Sequence, residues 1–456
     1  MEHEQDTLPP DAPDDERLRL ATALAHTNAD LDRYSNACEH ARQELQLRLR
    51  LYAPDHPDTL ITRNDLALWT LKAGKPAEAR NLFGDLLPDI VRVFGPEHHA
   101  TLTARNNYAV SAGEAGELAE ACRLFTELVP DRVRVLGPDH HETLLTRNNL
   151  AYWTAHAGEP DKARGLMDGL LPDITYMLGP DDPTTFIARS NLASWTGQAG
   201  EPAEARNLFA DLLPDMTRVF GPDHPDTLAV RTNVAYWTGE TGDPGQAKTL
   251  LRDLLPDMTR VYGPDHPDTL LVRGNLALWT SKAGDPGQAM TLLSDLLPDR
   301  VRVNGPDHPE TLTVRNNLAL STGDAGDPAA ARRLFAELLP DTVRVNGPDH
   351  PNTLRVRGNL AMWTQKAGEP GEAQSLFAEL LPDITRVLGA DHPDTLICRS
   401  NLASSIGDAG APHEAYRLIA ELLPDITRVL GADHRDTLLV RNKLAHWAKR
   451  MEGGEA

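Results

Sequence analysis

Apolar positions recur along this chain at the spacing of one helix face. Between Pro244 and Tyr262, one alanine and four leucines are spaced by three and four residues, which places them on one stripe of a helix. A second helical pattern precedes it, from about Pro225 to Thr241. The glycine between the two patterns suits a left-handed helix end, and the proline that follows suits a first helical turn. The pattern predicts two helices, A and B, that pack on each other through their apolar faces.

This pair of helices is one copy of a repeat with a period of 42 residues. A linker of the form GPDHPDTL separates the copies, and its histidine recurs without insertion or deletion. The positions are His56, His98, His140, Asp182 in place of the histidine, His224, His266, His308, His350, His392 and His434. A fixed period of this length is typical of a solenoid, in which each unit buries its apolar face against its neighbours. The 456 residues therefore predict one elongated array.

The repeat divides the chain into four predicted parts. Residues 1–13 are rich in proline and acidic residues, so we expect a disordered leader. Residues 14–52 keep the repeat pattern weakly and are expected to be a degenerate N-terminal capping repeat. Residues 53–430 contain nine helix-pair repeats, and residues 431–456 a C-terminal capping helix and tail with added basic residues.

Helix B carries an interior proline in every full copy. A proline inside a helix removes one hydrogen bond and presses on the preceding turn, so each helix B is expected to kink or break there. The prolines are Pro88, Pro130, Pro172, Pro214, Pro256, Pro298, Pro340, Pro382 and Pro424.

The order of small and large residues resembles the tetratricopeptide repeat. In one copy the matching residues are Leu192, Ala193, Gly200, Ala205 and Phe209. The 42-residue period, the linker GPDHPDTL and the NNLA of helix A resemble specifically the repeats of kinesin light chains and their bacterial relatives. The resemblance implies an all-α fold, an α-solenoid whose antiparallel helix pairs wind into a right-handed superhelix.

Charge and composition narrow the classes of partner. The chain has 45 Lys and Arg against 67 Asp and Glu, a net charge of −22. Nucleic acid and anionic membranes require a positive surface, so both are disfavoured as partners. The three cysteines are far apart and unpatterned, which favours a reducing, cytoplasmic location. Neither a signal peptide nor a run of 18 apolar residues is present, which indicates a soluble, unexported protein.

One arginine lies on the core side of helix A in all ten copies. A guanidinium there needs a carboxylate, and the aspartate after the helix B proline is the candidate, for example Arg231 with Asp257 or Asp215. The sequence thus predicts a ladder of arginine–aspartate pairs; the alternative is a row of arginines that binds anions. The arginines are Arg63, Arg105, Arg147, Arg189, Arg231, Arg273, Arg315, Arg357, Arg399 and Arg441.

All seven tryptophans share one position on a flank of helix A. We expect them to pack between repeats against the alanine of the next helix A, and the alternative is a set of exposed binding anchors. Ser111, Ser321 and Ser405 replace tryptophan in three copies, so those junctions are expected to open first. The tryptophans are Trp69, Trp153, Trp195, Trp237, Trp279, Trp363 and Trp447.

An asparagine recurs on the opposite side of helix A. Asparagine donates and accepts hydrogen bonds, so a row of them can bind the backbone of an extended peptide. The resemblance implies the same, since this position faces the concave groove in the family; the alternative is bonding between adjacent repeats. We expect the peptide-binding residues to be Asn107, Asn149, Asn191, Asn233, Asn275, Asn317, Asn359 and Asn401, with Tyr152, Tyr236, Lys282 and Lys366 beside them.

No catalytic or cofactor motif stands out. Each copy supplies one linker histidine, whereas a zinc site needs three or four converging ligands, so loop or capping roles are expected and no metal. No phosphate-binding loop, HExxH motif or recognisable nucleophile occurs, and no cofactor or enzymatic activity is expected.

The sequence favours a non-enzymatic scaffold for protein–protein interaction. An extended peptide or partner segment would bind the groove lined by the first helices of the repeats. The alternative is a regulatory or sensor subunit that controls a separate catalytic or nucleotide-binding signalling protein. A self-assembling structural array is a third hypothesis, which the charged terminal helices disfavour.

Overall fold

A computed structural model describes residues 12–452, in which every regular element is an α-helix. The chain divides into two compact units, Met1–Val230 and Arg231–Ala456, and the division falls within the helix Pro225–Glu240. The single elongated array and the boundaries at residues 13, 52 and 430 stay predictions. Residues 1–11 and 453–456, with most of the predicted leader and the end of the tail, lie outside the described residues.

The helices follow the repeat copy by copy. The first unit contains α1 Asp14–Asp30, α2 Tyr34–Leu51, α3 Pro57–Lys72, α4 Pro76–Phe94, α5 His99–Glu114, α6 Leu118–Leu136, α7 His141–His156, α8 Pro160–Asp168, α9 Leu171–Leu178, α10 Pro183–Gln198 and α11 Pro202–Phe220. Helix α12, Pro225–Glu240, follows. The second unit continues with α13 Pro244–Tyr262, α14 Pro267–Lys282, α15 Pro286–Asn304, α16 Pro309–Asp324, α17 Pro328–Asn346, α18 Pro351–Lys366, α19 Pro370–Leu388, α20 Pro393–Asp408, α21 Pro412–Leu430 and α22 Arg435–Glu452.

The linker histidine fixes the start of each helix A. In α14, the Nδ1 atom of His266 accepts the backbone N–H of Asp268 at 3.2 Å, which satisfies a donor that the helix itself leaves unpaired. The carboxylate of Asp182 does the same for the N–H of Thr184 at 2.7 Å. The other linker histidines, which make the equivalent bond, are His56, His98, His140, His224, His308, His350, His392 and His434. The predicted capping role is confirmed.

Helix B runs through its proline without interruption in eight of the nine copies. In the third copy it is broken, since α8 ends at Asp168 and α9 begins at Leu171, next to Pro172. The expected kink or break is thus a break only in the third copy, and a kink in the other copies stays a prediction. The third copy differs by Gly169, where the others have Asp or Glu, and glycine adds a second residue of poor helix propensity close to the proline.

The core is built from alanine, leucine and aromatic residues of helix A and the apolar stripe of helix B. In the fourth copy, Ala193, Ala205 and Phe209 are fully buried. The buried threonine of helix A bonds its own helix, as Thr280 does by donating to the Leu276 carbonyl at 2.7 Å. Four of the five residues that carried the resemblance to the tetratricopeptide repeat thus form the packed interior, and Gly200 lies exposed in the turn between the two helices with a φ of 96°.

The tryptophans pack between repeats, as expected, but against a different neighbour. A Cβ atom placed on Gly239 would lie 2.5 Å from the ring of Trp279, so the ring lies flat on the glycine of the preceding helix A. The same contact joins Gly113 to Trp153, Gly323 to Trp363 and Gly407 to Trp447. The predicted contact with an alanine of the next helix A is therefore wrong in these copies, because only glycine lets the ring approach so closely.

No helix within residues 12–452 is long and apolar enough to span a bilayer.

Candidate peptide-binding face of the first helices

The predicted asparagine row occupies the same position on eight consecutive A helices. Each of the eight side chains is partly exposed, so their amide groups remain within reach of a ligand. Asp65 holds the equivalent position on α3 and Lys443 on α22. We call the surface that these asparagines and end residues form in each of the two units the asparagine face.

Some of these amides bond to neighbouring residues. In the second unit, Nδ2 of Asn359 donates to Oδ1 of Asn316 in the preceding repeat at 3.3 Å, and Nδ2 of Asn316 donates to Oδ1 of Asn317 at 3.1 Å. In the first unit, Asn106 donates to Asn107 at 3.4 Å. An amide offers two donor hydrogens and an acceptor oxygen with two lone pairs, so one such bond leaves capacity for a ligand. Bonding between repeats and peptide binding are therefore compatible.

The two lysines predicted to line the groove lie over tryptophan rings. Nζ of Lys282 is 4.3 Å from the ring centre of Trp279, and Nζ of Lys366 is 4.0 Å from that of Trp363. Lys282 also approaches Glu240 of the preceding repeat at 3.6 Å. Cation–π contacts of this kind hold the ammonium groups close to the helix surface. The positive charge of each lysine therefore lies next to a tryptophan ring.

The two predicted tyrosines also lie beside tryptophan rings. Tyr152 is exposed and meets the ring of Trp153 edge-on, with the ring centres 5.0 Å apart. Tyr236 is partly buried and lies edge-on to Trp279. Burial, with a smaller contribution from Glu240, raises the pKa of the Tyr236 hydroxyl.

A pocket that the sequence did not reveal opens on the asparagine face between α18 and α20. Its volume is about 150 Å³, and Asn359, Asn401 and Met362 lie at its wall. Gly358 also lines it, at a position that is Asn64, Asn106, Asn148 and Asn316 in other copies. Its floor is apolar and is formed by helix α19 residues Phe377, Leu380, Ile384 and Leu388. The change from asparagine to glycine was visible in the sequence, but Gly274 shares it, so it did not identify the pocket.

Lys443 ends the row of amides in the second unit. Its Nζ donates to Oγ of Ser400 and to Oδ1 of Asn401, both at 3.0 Å. Burial lowers the pKa of Lys443 to about 8, although the charge of Asp408 acts in the opposite direction. Desolvation thus disfavours the charged form of this lysine relative to the neutral form.

Comparison with known proteins assigns the family. A model described as tetratricopeptide repeat matches residues 16–88, 100–168, 184–259 and 324–383, and a second model with the same description matches residues 269–310. The chain is a tetratricopeptide repeat protein. No curated protein matches it.

Solved structures resemble this tetratricopeptide repeat protein in fold. A putative kinesin light chain of Podospora anserina is 22% identical, with 45% of this chain and 98% of that chain covered and a TM-score of 0.41. The quorum sensor NprR of B. thuringiensis is 14% identical, with 79% and 99% covered and a TM-score of 0.56. A signal transduction ATPase with a tetratricopeptide repeat sensor, from Pyrococcus horikoshii, is 12% identical, with 86% and 53% covered and a TM-score of 0.50.

The arginine ladder of this repeat protein is confirmed. Nη1 of Arg231 donates to Oδ2 of Asp257 at 2.8 Å, and the equivalent pair exists in all nine full copies. These arginines are partly exposed rather than buried. Because each guanidinium already has a carboxylate, the alternative of an anion-binding row is wrong.

The same guanidinium supports the proline-containing helix. Nη2 of Arg63 donates to the carbonyl of Asp85 at 2.9 Å, three residues before Pro88. A proline disturbs the helical hydrogen bonds of the turn before it, so a donor from helix A meets a backbone acceptor at the disturbed turn. The same contact is made by Arg147, Arg189, Arg273, Arg315 and Arg357. Sequence reasoning found the pair but missed this second role.

The linker histidines have no metal-binding arrangement. Their Nδ1 atoms accept backbone N–H groups at the helix starts, as described for His266. Within residues 12–452, no group of three or more His, Cys, Asp and Glu side chains could hold a metal ion.

Proposed function

We propose that this protein is a non-enzymatic scaffold that binds an extended peptide or partner segment on its asparagine face. The family supports a role in protein–protein interaction. The observation that carries the finer proposal is the recurrence of one partly exposed asparagine on eight consecutive A helices. A row of amides at a fixed interval can pair with backbone N–H and C=O groups whatever the peptide sequence.

The neighbouring residues would supply selectivity. Tyr152, Tyr236, Lys282 and Lys366 offer aromatic and cationic contacts, and the pocket beside Asn359 offers an apolar one. The net charge of −22 favours a protein partner over nucleic acid. A cytoplasmic location is part of the proposal.

The test is affinity capture from lysate of the source cell with matched double variants. Asn275→Ala with Asn317→Ala removes two amides of the asparagine face in the second unit. Asn81→Ala with Asn207→Ala removes two exposed amides from the B helices α4 and α11 and serves as the control. We expect a partner that the control retains and the first variant loses, with unchanged helicity in both. Equal retention would show that the asparagine face does not bind it.

The second candidate is a regulatory or sensor subunit that acts on a separate catalytic or nucleotide-binding protein. It is supported by the descriptions of two similar folds, one a quorum sensor and the other an ATPase with a repeat sensor. Addition of the purified repeat protein to the captured partner distinguishes the two. A change in the partner's nucleotide hydrolysis or other activity favours regulation, and binding without such a change favours a scaffold.

A further inference from the structure

The third full copy lacks a charge bridge that other copies share. In the first copy, Nη1 of Arg92 donates to the linker carboxylate of Asp55 at 2.9 Å, and Nη2 donates to Oδ1 of Asp89 at 3.1 Å. One guanidinium thus joins the linker to the aspartate that follows the helix B proline. The same bridge is made by Arg134, Arg218, Arg302, Arg344 and Arg386.

Tyr176 occupies the position of this arginine in the third copy, while the rest of the arrangement is retained. Nη1 of Arg147 donates to Oδ2 of Asp173 at 2.7 Å, as in the other copies, so Asp173 holds the usual position. In the copies that make the bridge, the Oδ1 atom of this aspartate accepts a hydrogen bond from the arginine three residues later. In the third copy, helix α9 supplies no cation to this atom. Within the described part of the chain, no side chain forms an ion pair with the exposed linker residue Asp139. Two carboxylates placed for one guanidinium therefore lack it.

The tyrosine ring does not fold back onto the protein. Tyr176 is 88% exposed, the highest value of any large apolar or aromatic side chain described, and the adjacent Met177 is 48% exposed. Single exposed apolar residues are common on protein surfaces and carry little meaning alone. Here the exposed ring belongs to the residue that replaces the arginine of the charge bridge. Tyrosine and methionine are also common in protein interfaces.

We propose that the surface formed by Asp139, Asp173 and Tyr176 binds an arginine side chain of a protein partner. A planar guanidinium can donate to two carboxylates at once, as Arg92 does in the first copy, and can stack on an aromatic face. A lysine ammonium is a point charge that cannot reproduce both contacts. This arginine site lies on helix B and the linker, apart from the asparagine face, and does not depend on the proposed peptide binding.

The test uses Met177 as a reporter beside the site. The protein is labelled with ¹³C in its methionine methyl groups and titrated with N-acetyl-arginine amide or N-acetyl-lysine amide, which carry the same charge, at constant ionic strength. We expect the Met177 methyl resonance to shift with both but to saturate at an arginine amide concentration about fivefold lower, as one additional hydrogen bond of about 1 kcal/mol from the planar guanidinium would give. Equal responses to the two amides would mean a plain acidic patch and would overturn the proposal.

Two variants provide matched tests. Tyr176→Arg supplies the guanidinium from the chain itself, as in the other copies, and should abolish the arginine preference at Met177. Leu439→Arg on α22 adds the same charge on another exposed side chain and should leave the preference unchanged. Arg218→Tyr with Val219→Met transplants the site and its reporter into the fourth copy and should create a second methyl resonance with the same preference. A response that survives in Tyr176→Arg would contradict the proposal.

Discussion

At the scale of single residues, the linker histidines show how one side chain can define a helix start. His266 accepts the N–H of Asp268 through Nδ1, and in the fourth copy Asp182 replaces the imidazole with a carboxylate. The repeated HP dipeptide was enough to predict a capping or loop role. It could not show that the acceptor is Nδ1, because this depends on the ring orientation in the folded linker.

The cap leads to a prediction with a control provided by the protein itself. His266→Ala should destabilise the first turn of α14 by about 1 kcal/mol, since the N–H of Asp268, which has no acceptor within the helix, loses the one that the histidine provides. His266→Asp should retain the cap, because Asp182 makes this bond at 2.7 Å. Hydrogen exchange at the amide of Asp268 measures the difference, and we expect about fivefold faster exchange in the alanine variant only. Faster exchange in both variants would contradict a capping role.

A second residue-scale feature is a pair that sequence reasoning missed. Arg132 and Arg300 occupy a helix B position that is Ile, Met or Thr in the other copies, and both are almost fully buried. Arg132 pairs with Glu142, and Arg300 lies 3.5 Å from Glu310. Glu142 and Glu310 stand in helix A of the copies that follow, and no other copy has glutamate at that place. The joint change was visible in the sequence, but the burial of the arginine was not.

The pair predicts different outcomes for single and double replacement. Burial lowers the pKa of Arg300, and Glu310 opposes this shift. Glu310→Ala should destabilise the protein by about 1–3 kcal/mol, because it leaves a buried guanidinium without its carboxylate. Arg300→Met with Glu310→Asp copies Met258 of the fifth copy and Asp268 of the sixth, and should be neutral or stabilising. Urea unfolding of the two variants tests this, and a double variant less stable than Glu310→Ala would contradict it.

At the scale of helices, the interior prolines show what a repeat pattern can and cannot predict. Their positions and the arginine–aspartate pairs followed from the sequence. The continuity of eight B helices did not, since it depends on tertiary packing; the contact from helix A does not account for it, because Arg147 makes that contact to the Gly169 carbonyl at the break. Gly169 decided the single break, and its effect is a local loss of helix propensity that the shared pattern conceals.

Close packing of neighbouring A helices gives the prediction at this scale. Gly239→Ala should cost about 1–2 kcal/mol, because its Cβ would lie 2.5 Å from the Trp279 ring and the helices must move apart. Gly287→Ala on α15 is the control, since its Cβ would meet nothing within 4 Å and the change should stabilise by about 0.5–1 kcal/mol. The midpoint of urea unfolding should fall in the first variant and rise in the second. A rise in both would mean that the interface adapts without strain.

At the scale of the whole molecule, two positions of the repeat change together: the tryptophan position, and the position 40 residues before it on the preceding helix A. The residue 40 positions before the tryptophan is glycine for five of the seven tryptophans, and it is Ala29 or Ala155 for Trp69 and Trp195. Where serine replaces tryptophan, the preceding copy carries Leu71, Ser281 or Gln365 in place of glycine or alanine. Gln365 accepts a hydrogen bond from Ser405 at 3.0 Å. Large and small residues thus compensate at two of the three serine junctions. The pattern is present in the sequence, but the partner of each tryptophan had to be known before it could be recognised.

Ser281 and Ser321 form the junction at which both residues are small, which refines the expectation that all three serine junctions open first. With the least side-chain volume between its A helices, this junction should have the lowest opening free energy within the second unit. Hydrogen exchange should therefore be fastest in the facing parts of α14 and α16, and slower at the α16–α18 junction, where Trp363 lies on Gly323. Ser281→Gly with Ser321→Trp installs the glycine–tryptophan contact of the other junctions and should slow exchange there to the level of its neighbours. Equal protection of both junctions in the unmodified protein would show that the packing of tryptophan between A helices does not determine where the second unit opens.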